Sequence, residues 1–183
     1  MSANIKRLEE LLVYSDQENP WLKLYFDRVE FSDGRVGRYN RIVEAQGKQG
    51  VAVLPLAGAH IGLARQFRYP VGKELWEIPR GFAESGRPEE DALRELREET
   101  GLNARELVDL GTIHPNSGVL ASEVQIFAAI CDDWAQDRSI TDGEVAEFRW
   151  LPVERVLSLI KAGDITDAFT LCAVLRAKER GIV

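Results

Sequence analysis

A chain of 183 residues, 45% of them hydrophobic and 29% charged, has the composition of a globular protein with one main domain and at most a small extension. Its formal net charge of −7 argues against a nucleic-acid backbone as the main ligand. Two cysteines make no disulfide framework, and no apolar window has the length of a signal peptide or a membrane span. We therefore expect a cytoplasmic protein without a membrane partner.

The part of the chain before residue 80 is predicted to consist of strands. Residues Leu22–Phe31 alternate in polarity and end at the turn Ser32-Asp33-Gly34, and Gly37–Glu44 is the expected hairpin partner. Further strands are predicted over Val51–Leu56, His60–Phe67 and Leu75–Ile78. The first of these three is almost continuously apolar, so we expect it to be buried.

A helix of about thirteen residues is predicted next, because Pro88 suits a first helical position and Gly101 suits the position just past the end. The remaining predicted elements are strands at Leu107–Ile113, Val124–Ile130 and Phe148–Leu151, and helices at Val153–Ala162 and Asp167–Arg180. Strands that flank a central helix and are followed by further helices fit a mixed sheet between helical layers.

The central helix carries a dense group of carboxylates on one face. At about 100° per residue, the members of this face are Asp91, Glu95, Glu98 and Glu99. Like charges four residues apart repel, and we expect Arg94, at the margin of the face, and Arg97, away from it, not to neutralise them. A hard divalent cation such as Mg²⁺ would convert the repulsion into ligation. The alternative is a solvated, glutamate-rich helix face.

The stretch Gly81–Leu102 resembles the Nudix box, whose pattern is Gly, five residues, Glu, seven residues, and Arg-Glu-apolar-any-Glu-Glu-any-Gly-apolar. The matches in register are Arg94, Glu95, Leu96, Glu98, Glu99, Gly101 and Leu102. The resemblance covers about residues 46–183 and implies an α/β fold, the Nudix α/β/α sandwich with a mixed sheet. Residues 1–45 resemble the small antiparallel N-terminal β extension of ADP-ribose and nucleotide-sugar pyrophosphatases, which implies a homodimer.

The first half of the box departs from the family pattern. The distance from Gly81 to Arg94 is one residue too short, so the family's first glutamate is either replaced by Arg87 or missing. In the family that glutamate mainly supports the loop and helix, whereas the later glutamates hold the metal. The departure therefore concerns the loop geometry, and Glu84 is expected to take over part of the supporting role.

The resemblance implies a set of metal ligands and a catalytic base. Glu95 and Glu99 are the principal expected ligands of Mg²⁺, with Mn²⁺ as a substitute, and Glu98 is the next candidate, in a metal-binding or catalytic role. The backbone carbonyl of Arg80 is a further candidate ligand. Glu144 is the expected water-orienting base or additional ligand, with Glu147 as the alternative alignment.

Other charged residues are candidates for contacting the substrate. Arg65 and Arg68 are expected to face opposite sides of a strand, with at least one of them binding a phosphate or contacting a second subunit. The guanidinium of Arg80 could bind phosphate or form a structural salt bridge. Glu77 is a candidate for contacting a substrate hydroxyl, and Glu123 for contacting substrate or supporting the box.

These resemblances imply a Mg²⁺-dependent Nudix pyrophosphohydrolase that splits the diphosphate of ADP-ribose or a related nucleoside diphosphate sugar. For ADP-ribose the products would be AMP and ribose 5-phosphate. Within the same enzyme class, GDP-mannose, NADH or a diadenosine polyphosphate are the alternative substrates. The alternative from another class is a non-catalytic, nucleotide-binding sensor, but such domains typically lose box glutamates, and this chain keeps Glu95, Glu98 and Glu99.

Overall fold

The computed structural model describes residues 4–132 and 145–183, and the chain divides into two compact units. The first unit comprises Met1–Lys48 together with His114–Glu123, and the second comprises Gln49–Ile113 and Val124–Val183. The boundary expected from the sequence lies after residue 45. The place of His114–Glu123 in the first unit was not expected, because a segment so far along the chain carries no local signal of its partner.

The first unit is built on a four-stranded antiparallel sheet in which one long strand pairs with each of the other three. Its strands are β1 (Lys6–Glu9), β2 (Leu12–Ser15), β3 (Leu22–Glu30) and β4 (Val36–Glu44). The predicted hairpin is confirmed, since β3 and β4 pair from Leu22 opposite Glu44 to Glu30 opposite Val36. Sequence analysis missed β1 and β2, which are four residues long and exposed throughout, so they lack the buried side from which alternation is read.

The segment His114–Glu123 lies along the free edge of β4. The Ile42 N–H donates to the Val119 carbonyl at 2.8 Å, and the Ala121 N–H donates to the Ile42 carbonyl at 2.8 Å. The Ser122 hydroxyl adds a 3.0 Å hydrogen bond to Glu44. These bonds extend the first sheet and explain why this segment belongs to the first unit.

The second unit contains a seven-stranded mixed sheet. Its strands are β5 (Gly50–Ala57), β6 (His60–Arg68), β7 (Lys73–Glu77), β8 (Arg80–Phe82), β9 (Ala104–Ile113), β10 (Val124–Cys131) and β11 (Val145–Pro152). The main order is β11-β6-β5-β10-β9, with β7 beside β6 and β8 beside β5. Strands β5 and β10 are parallel and every other pair is antiparallel. The predicted strands of this unit are confirmed, and the short strand β8 was not predicted.

Three helices cover the two faces of this sheet. They are α1 (Pro88–Thr100), α2 (Val153–Ala162) and α3 (Ala168–Glu179). Side chains of β5 alternate between two cores: Val51 and Val53 pack with α1, whereas Ala52 and Leu54 pack with α2 and α3. The expected α/β/α sandwich is therefore confirmed. Within the described residues, none of the helices is both long and apolar enough to cross a bilayer.

Candidate active site

Helix α1 presents its carboxylates where the sequence places them, because its ends are set by local residues. Pro88 occupies the first turn, and Gly101 ends the helix in the left-handed region at φ 68°, with its N–H donating to the Arg97 carbonyl. Ala92 and Leu96 are fully buried in the core against the sheet. Packing of this apolar side fixes the rotation of the helix and so turns the acidic side toward strand β8.

Asp91 closes the loop between β8 and α1. Its carboxylate accepts 3.2 Å hydrogen bonds from the Ser85 backbone N–H and a 2.8 Å bond from the Ser85 hydroxyl. Burial raises the pKa of Asp91, but hydrogen bonds from the Glu84 and Ser85 backbones and the Ser85 hydroxyl, together with the nearby Arg94, leave it below its ordinary value. Asp91 is thus an ionised support for the loop.

This arrangement corrects the expectation for the shortened box. Glu84 is exposed and contributes to Asp91 through its backbone, so its side chain does not take over the supporting role. Arg87 is also exposed and pairs with Glu90 at 2.7 Å. The carboxylate that supports the loop comes instead from Asp91 in the first turn of α1, four residues after Arg87.

Arg94 lies between two of the candidate metal ligands. It donates to Glu95 Oε1 at 2.7 Å, to Glu98 Oε2 at 2.8 Å and to the Phe82 carbonyl at 3.1 Å. The expectation that this arginine would leave the acidic face unneutralised is therefore wrong. Its guanidinium reaches Glu98 because side chains four residues apart lie on the same face of a helix.

Glu95 packs directly against the backbone of strand β8 at Gly81. A Cβ atom at position 81 would overlap the Glu95 carboxylate, so only glycine permits this approach. Burial raises the pKa of Glu95, Arg94 opposes that effect, and the charges of Glu98 and Glu84 add to it, so the net pKa is above its ordinary value. A buried carboxylate with neighbouring carboxylates favours an added positive charge.

Glu99 faces the same strand as Glu95, as their spacing of four predicts. The Arg80 backbone N–H donates to Glu99 Oε1 at 3.3 Å, which brings the expected carbonyl ligand and the expected carboxylate ligand into one place. Carboxylate and carbonyl oxygens suit a hard cation such as Mg²⁺, so the residues present fit the expected metal. Among the residues that the structure describes, no three acidic, histidine or cysteine side chains already converge as a cation site.

An ion-pair chain lies next to this group and consists of Arg68, Glu77, Arg80 and Asp167. Arg68 donates to Glu77 Oε2 through Nε at 2.9 Å and Nη2 at 2.6 Å. Arg80 reaches the same oxygen at 3.1 Å and bonds Asp167 Oδ1 at 2.6 Å. Burial lowers the pKa of Arg68, but the negative charges of Glu77, Glu99 and Asp167 raise it by more. The net shift of the pKa is therefore upward.

The comparison with known protein families identifies the chain. Residues 48–170 match the model of the NUDIX domain. The chain belongs to the Nudix family. The resemblance to the Nudix family that the box indicated is therefore confirmed, and it extends well beyond the box.

Two relatives cover nearly all of this Nudix chain. It is 31% identical over 181 residues to the ADP-ribose pyrophosphatase of Bacillus subtilis (strain 168), with 96% of this chain and 97% of that protein covered. It is 29% identical over 174 residues to the methanol dehydrogenase activator of Bacillus methanolicus, with 92% of each covered. A crystal structure of an ADP compounds hydrolase matches the fold over 100% of both chains, with a TM-score of 0.80 and 20% identity.

The remaining predicted residues of the Nudix chain fall in three different places. Arg65 lies on the opposite face of β6 from Arg68, as predicted, and pairs with Glu74 at 3.4 Å and Glu147 at 3.1 Å. Glu123 belongs to the first unit and lies 3.8 Å from His114. Glu144, the predicted base, lies outside the described residues.

Sequence reasoning missed two contributors to the Nudix site, Asp91 as the loop support and Asp167 as the partner of Arg80. A sequence signal existed for Asp91, since an aspartate in the first turn of a helix can bond the preceding loop. The sequence also carried a signal for Asp167, because an aspartate just before a helix is a typical N-cap. No sequence signal indicated its ion pair with Arg80, which is 87 residues away in sequence.

Proposed function

We propose that this protein is a divalent-cation-dependent pyrophosphohydrolase acting on ADP-ribose or a related nucleoside diphosphate sugar. Water would split the diphosphate and release a nucleoside monophosphate and a sugar phosphate. The observation that carries the proposal is the grouping of Glu95, Glu98 and Glu99 on α1 beside the backbone of Arg80 and the guanidinium of Arg68. The names of the near full-length pyrophosphatase relative and of the fold match support the same substrate class.

Glu95 and Glu99, with Glu98 and the Arg80 carbonyl, would hold Mg²⁺ or Mn²⁺. Bound there, the cation would supply Lewis-acid polarisation of the diphosphate and a more acidic water. Because Mg²⁺ usually binds one or two carboxylates and completes its shell with water and substrate phosphates, the substrate itself would help to assemble the site. Arg94, which now bonds Glu95 and Glu98, would then share those oxygens with the cation.

Arg68 is the best-supported phosphate-binding side chain of this site. Its Nε and Nη2 are held by Glu77, while Nη1 has no partner among the described residues. A guanidinium oriented in this way donates to phosphate with little loss of rotational freedom. Glu77 is only 1% exposed, so we propose that it orients Arg68 beneath the substrate rather than contacting a substrate hydroxyl from the surface.

The other predicted residues take more restricted roles in the proposal. The guanidinium of Arg80 is neutralised by Glu77 and Asp167, which favours the structural salt bridge over phosphate binding. Arg65 is neutralised by Glu74 and Glu147 on the other face of the sheet, which favours a role away from phosphate. Glu144 stays our candidate for the base that orients the attacking water, and Glu123 for a substrate contact.

Turnover on a panel of substrates tests the function directly. Purified protein with Mg²⁺ would be incubated with ADP-ribose, nucleotide sugars, GDP-mannose, NADH and a diadenosine polyphosphate, and the products separated chromatographically. We expect the highest kcat/KM for ADP-ribose or a nucleoside diphosphate sugar, with AMP or the matching monophosphate as product. Tight binding of one nucleotide without turnover of any would instead support the non-catalytic sensor.

We also propose that the protein is a cytoplasmic homodimer formed through its first unit. Both cysteines, Cys131 and Cys172, are free thiols, which agrees with a reducing compartment. Most large apolar side chains that are exposed in the described residues belong to the first unit, and an apolar surface of that kind favours a protein partner.

A further inference from the structure

A buried carboxylate outside the Nudix box, Asp167, connects helix α3 to the candidate cation site. Asp167 is 7% exposed and precedes the first residue of α3. Its Oδ2 accepts hydrogen bonds from the Thr170 backbone N–H at 2.8 Å and from the Thr170 hydroxyl at 2.7 Å. Its Oδ1 accepts the 2.6 Å bond from Arg80 Nη1. One oxygen therefore caps the helix, and the other holds the arginine.

Helix α3 is a firm anchor for Asp167. The Thr170 hydroxyl also accepts a 3.0 Å hydrogen bond from the Ile78 backbone N–H, so α3 contacts the chain on both sides of Pro79. Toward its other end, Arg176 donates to the carbonyls of Leu110 and Thr112, each at 2.9 Å. Contacts at both ends restrict movement of the helix against the sheet.

Arg80 links the anchored helix α3 to the box. Its guanidinium stacks over the Phe169 ring at 4.4 Å and bonds Asp167, while its backbone N–H donates to Glu99 Oε1 at 3.3 Å. Strand β8 is only three residues long, so the position of the Arg80 side chain is coupled to the position of its backbone. An interaction that holds the Arg80 side chain in place therefore also helps to hold Glu99 and the Arg80 carbonyl in place.

Charge gives a second reason for an ionised residue at position 167. The ion-pair chain contains two arginines and two carboxylates, so it is balanced as it stands. Without the charge of Asp167, Arg68 and Arg80 would share Glu77 alone, and one positive charge would remain near Glu99. That excess charge would oppose the binding of a divalent cation.

We propose that Asp167 is a positioning residue for the cation site, acting through Arg80 on Glu99 and on the Arg80 carbonyl. The proposal rests on the proposed function, because it assigns Asp167 a role in the metal site of that reaction. A cap alone would not need a charge, since asparagine and serine cap helices about as well as aspartate. The partner that needs the charge is Arg80.

Direct measurement of cation binding tests this role. Mn²⁺ binding to the purified, metal-free protein would be followed by electron paramagnetic resonance, for wild type and for Asp167→Asn. We expect the variant to bind Mn²⁺ roughly tenfold more weakly or worse, as is typical when the support of a metal ligand is lost. Its thermal midpoint should change little, because asparagine retains the cap. Asp167→Ser serves as a second capping variant should Asp167→Asn fail to fold.

Asp164→Asn is the matched control, since it removes the same charge three residues earlier from an exposed side chain. Its Mn²⁺ affinity should equal that of wild type. In an Arg80→Met background, Asp167→Asn should have no further effect on Mn²⁺ affinity. In turnover assays, the concentration of Mn²⁺ needed for half-maximal rate should rise about as much as the dissociation constant, with KM for the substrate little changed.

Three outcomes would overturn the proposal. If wild type binds Mn²⁺ and Asp167→Asn binds it equally well, Asp167 has no positioning role, and the proposed function is unaffected. If the effects of Asp167→Asn and Arg80→Met on Mn²⁺ affinity simply add, Asp167 does not act through Arg80. If wild type itself binds no Mn²⁺ even with nucleotide present, the proposed function fails, and the role of Asp167 fails with it.

Discussion

At the scale of single residues, Glu99 is the carboxylate whose loss should most affect the reaction. Glu99→Gln removes one negative charge from the oxygens next to the Arg80 backbone. We expect kcat with ADP-ribose and saturating Mg²⁺ to fall roughly a hundredfold or more, because a bound cation contributes several kcal/mol of charge stabilisation. Glu89→Gln, an exposed change in the first turn of the same helix, should keep the wild-type rate. A wild-type rate for Glu99→Gln would exclude its role as a ligand.

Asp91 should make the stability of the loop depend on pH. Its pKa is lower in the folded protein than its ordinary value of 3.8, so the ionised carboxylate stabilises the fold. That contribution is complete above about pH 4 and disappears as the pH falls through the lowered pKa. Asp91→Asn should therefore cost about 1–2 kcal/mol at pH 7, and the difference from wild type should shrink in acid.

Urea denaturation of both proteins at pH 7, 5 and 3 would measure this difference. Glu90→Gln is the appropriate control, because Glu90 is exposed and makes only a surface ion pair with Arg87. Its free energy of unfolding should differ little from that of wild type at any of the three pH values. A constant deficit for Asp91→Asn at all three would contradict the lowered pKa.

At the scale of elements, the end of α1 depends on one glycine. Gly101 adopts φ 68°, a conformation that L side chains rarely take. Gly101→Ala should lower the free energy of unfolding by about 1 kcal/mol, because alanine adopts the left-handed region less readily than glycine. Gly118→Ala is the control, since Gly118 has a negative φ and its added methyl meets only Asn116, at 3.6 Å. Equal urea midpoints for the two variants would show that the left-handed cap contributes nothing.

Local residue patterns were enough to predict some elements, whereas others form only because a partner strand lies beside them. The ends of α1 and the β3–β4 hairpin were predictable, because Pro88, Gly101 and the turn at Ser32–Gly34 act over a few residues. Strand β8 was not, because a three-residue segment containing Gly81 has no periodicity of its own. It is a strand because β5 offers a partner for it.

At the scale of the whole molecule, the thiols should have no part in catalysis. Burial raises the pKa of Cys131 to about 11, so it is protonated at neutral pH and a poor nucleophile. The double variant Cys131→Ser and Cys172→Ser should keep the wild-type kcat, with some loss of stability because Cys131 is packed in the core. A kcat assay beside a thermal melt would separate the two effects. Lost activity at unchanged stability would indicate a thiol mechanism.

The first unit should make the protein a dimer in solution. Its exposed large apolar side chains are Ile5, Leu8, Leu11, Leu12, Val13, Tyr14, Trp21, Leu22, Phe26, Val36 and Tyr39. Sedimentation velocity should give the mass of two chains of 20.6 kDa. Leu12→Lys with Val36→Lys should shift the distribution toward the monomer, whereas Leu175→Lys, in α3, should not. A fully active wild-type monomer would contradict the proposed assembly.

The sequence by itself determined the helix that carries Glu95, Glu98 and Glu99, their common face, and the resemblance to the Nudix family. Those features depend on residue spacing and on backbone preferences that act within a few positions. Only the tertiary structure decided that Asp91 holds the loop, that Arg94 lies between two carboxylates and that Asp167 holds Arg80. Hydrogen bonds and ion pairs of this kind depend on distances that arise only when the sheet and helices pack, and a linear pattern does not contain those distances.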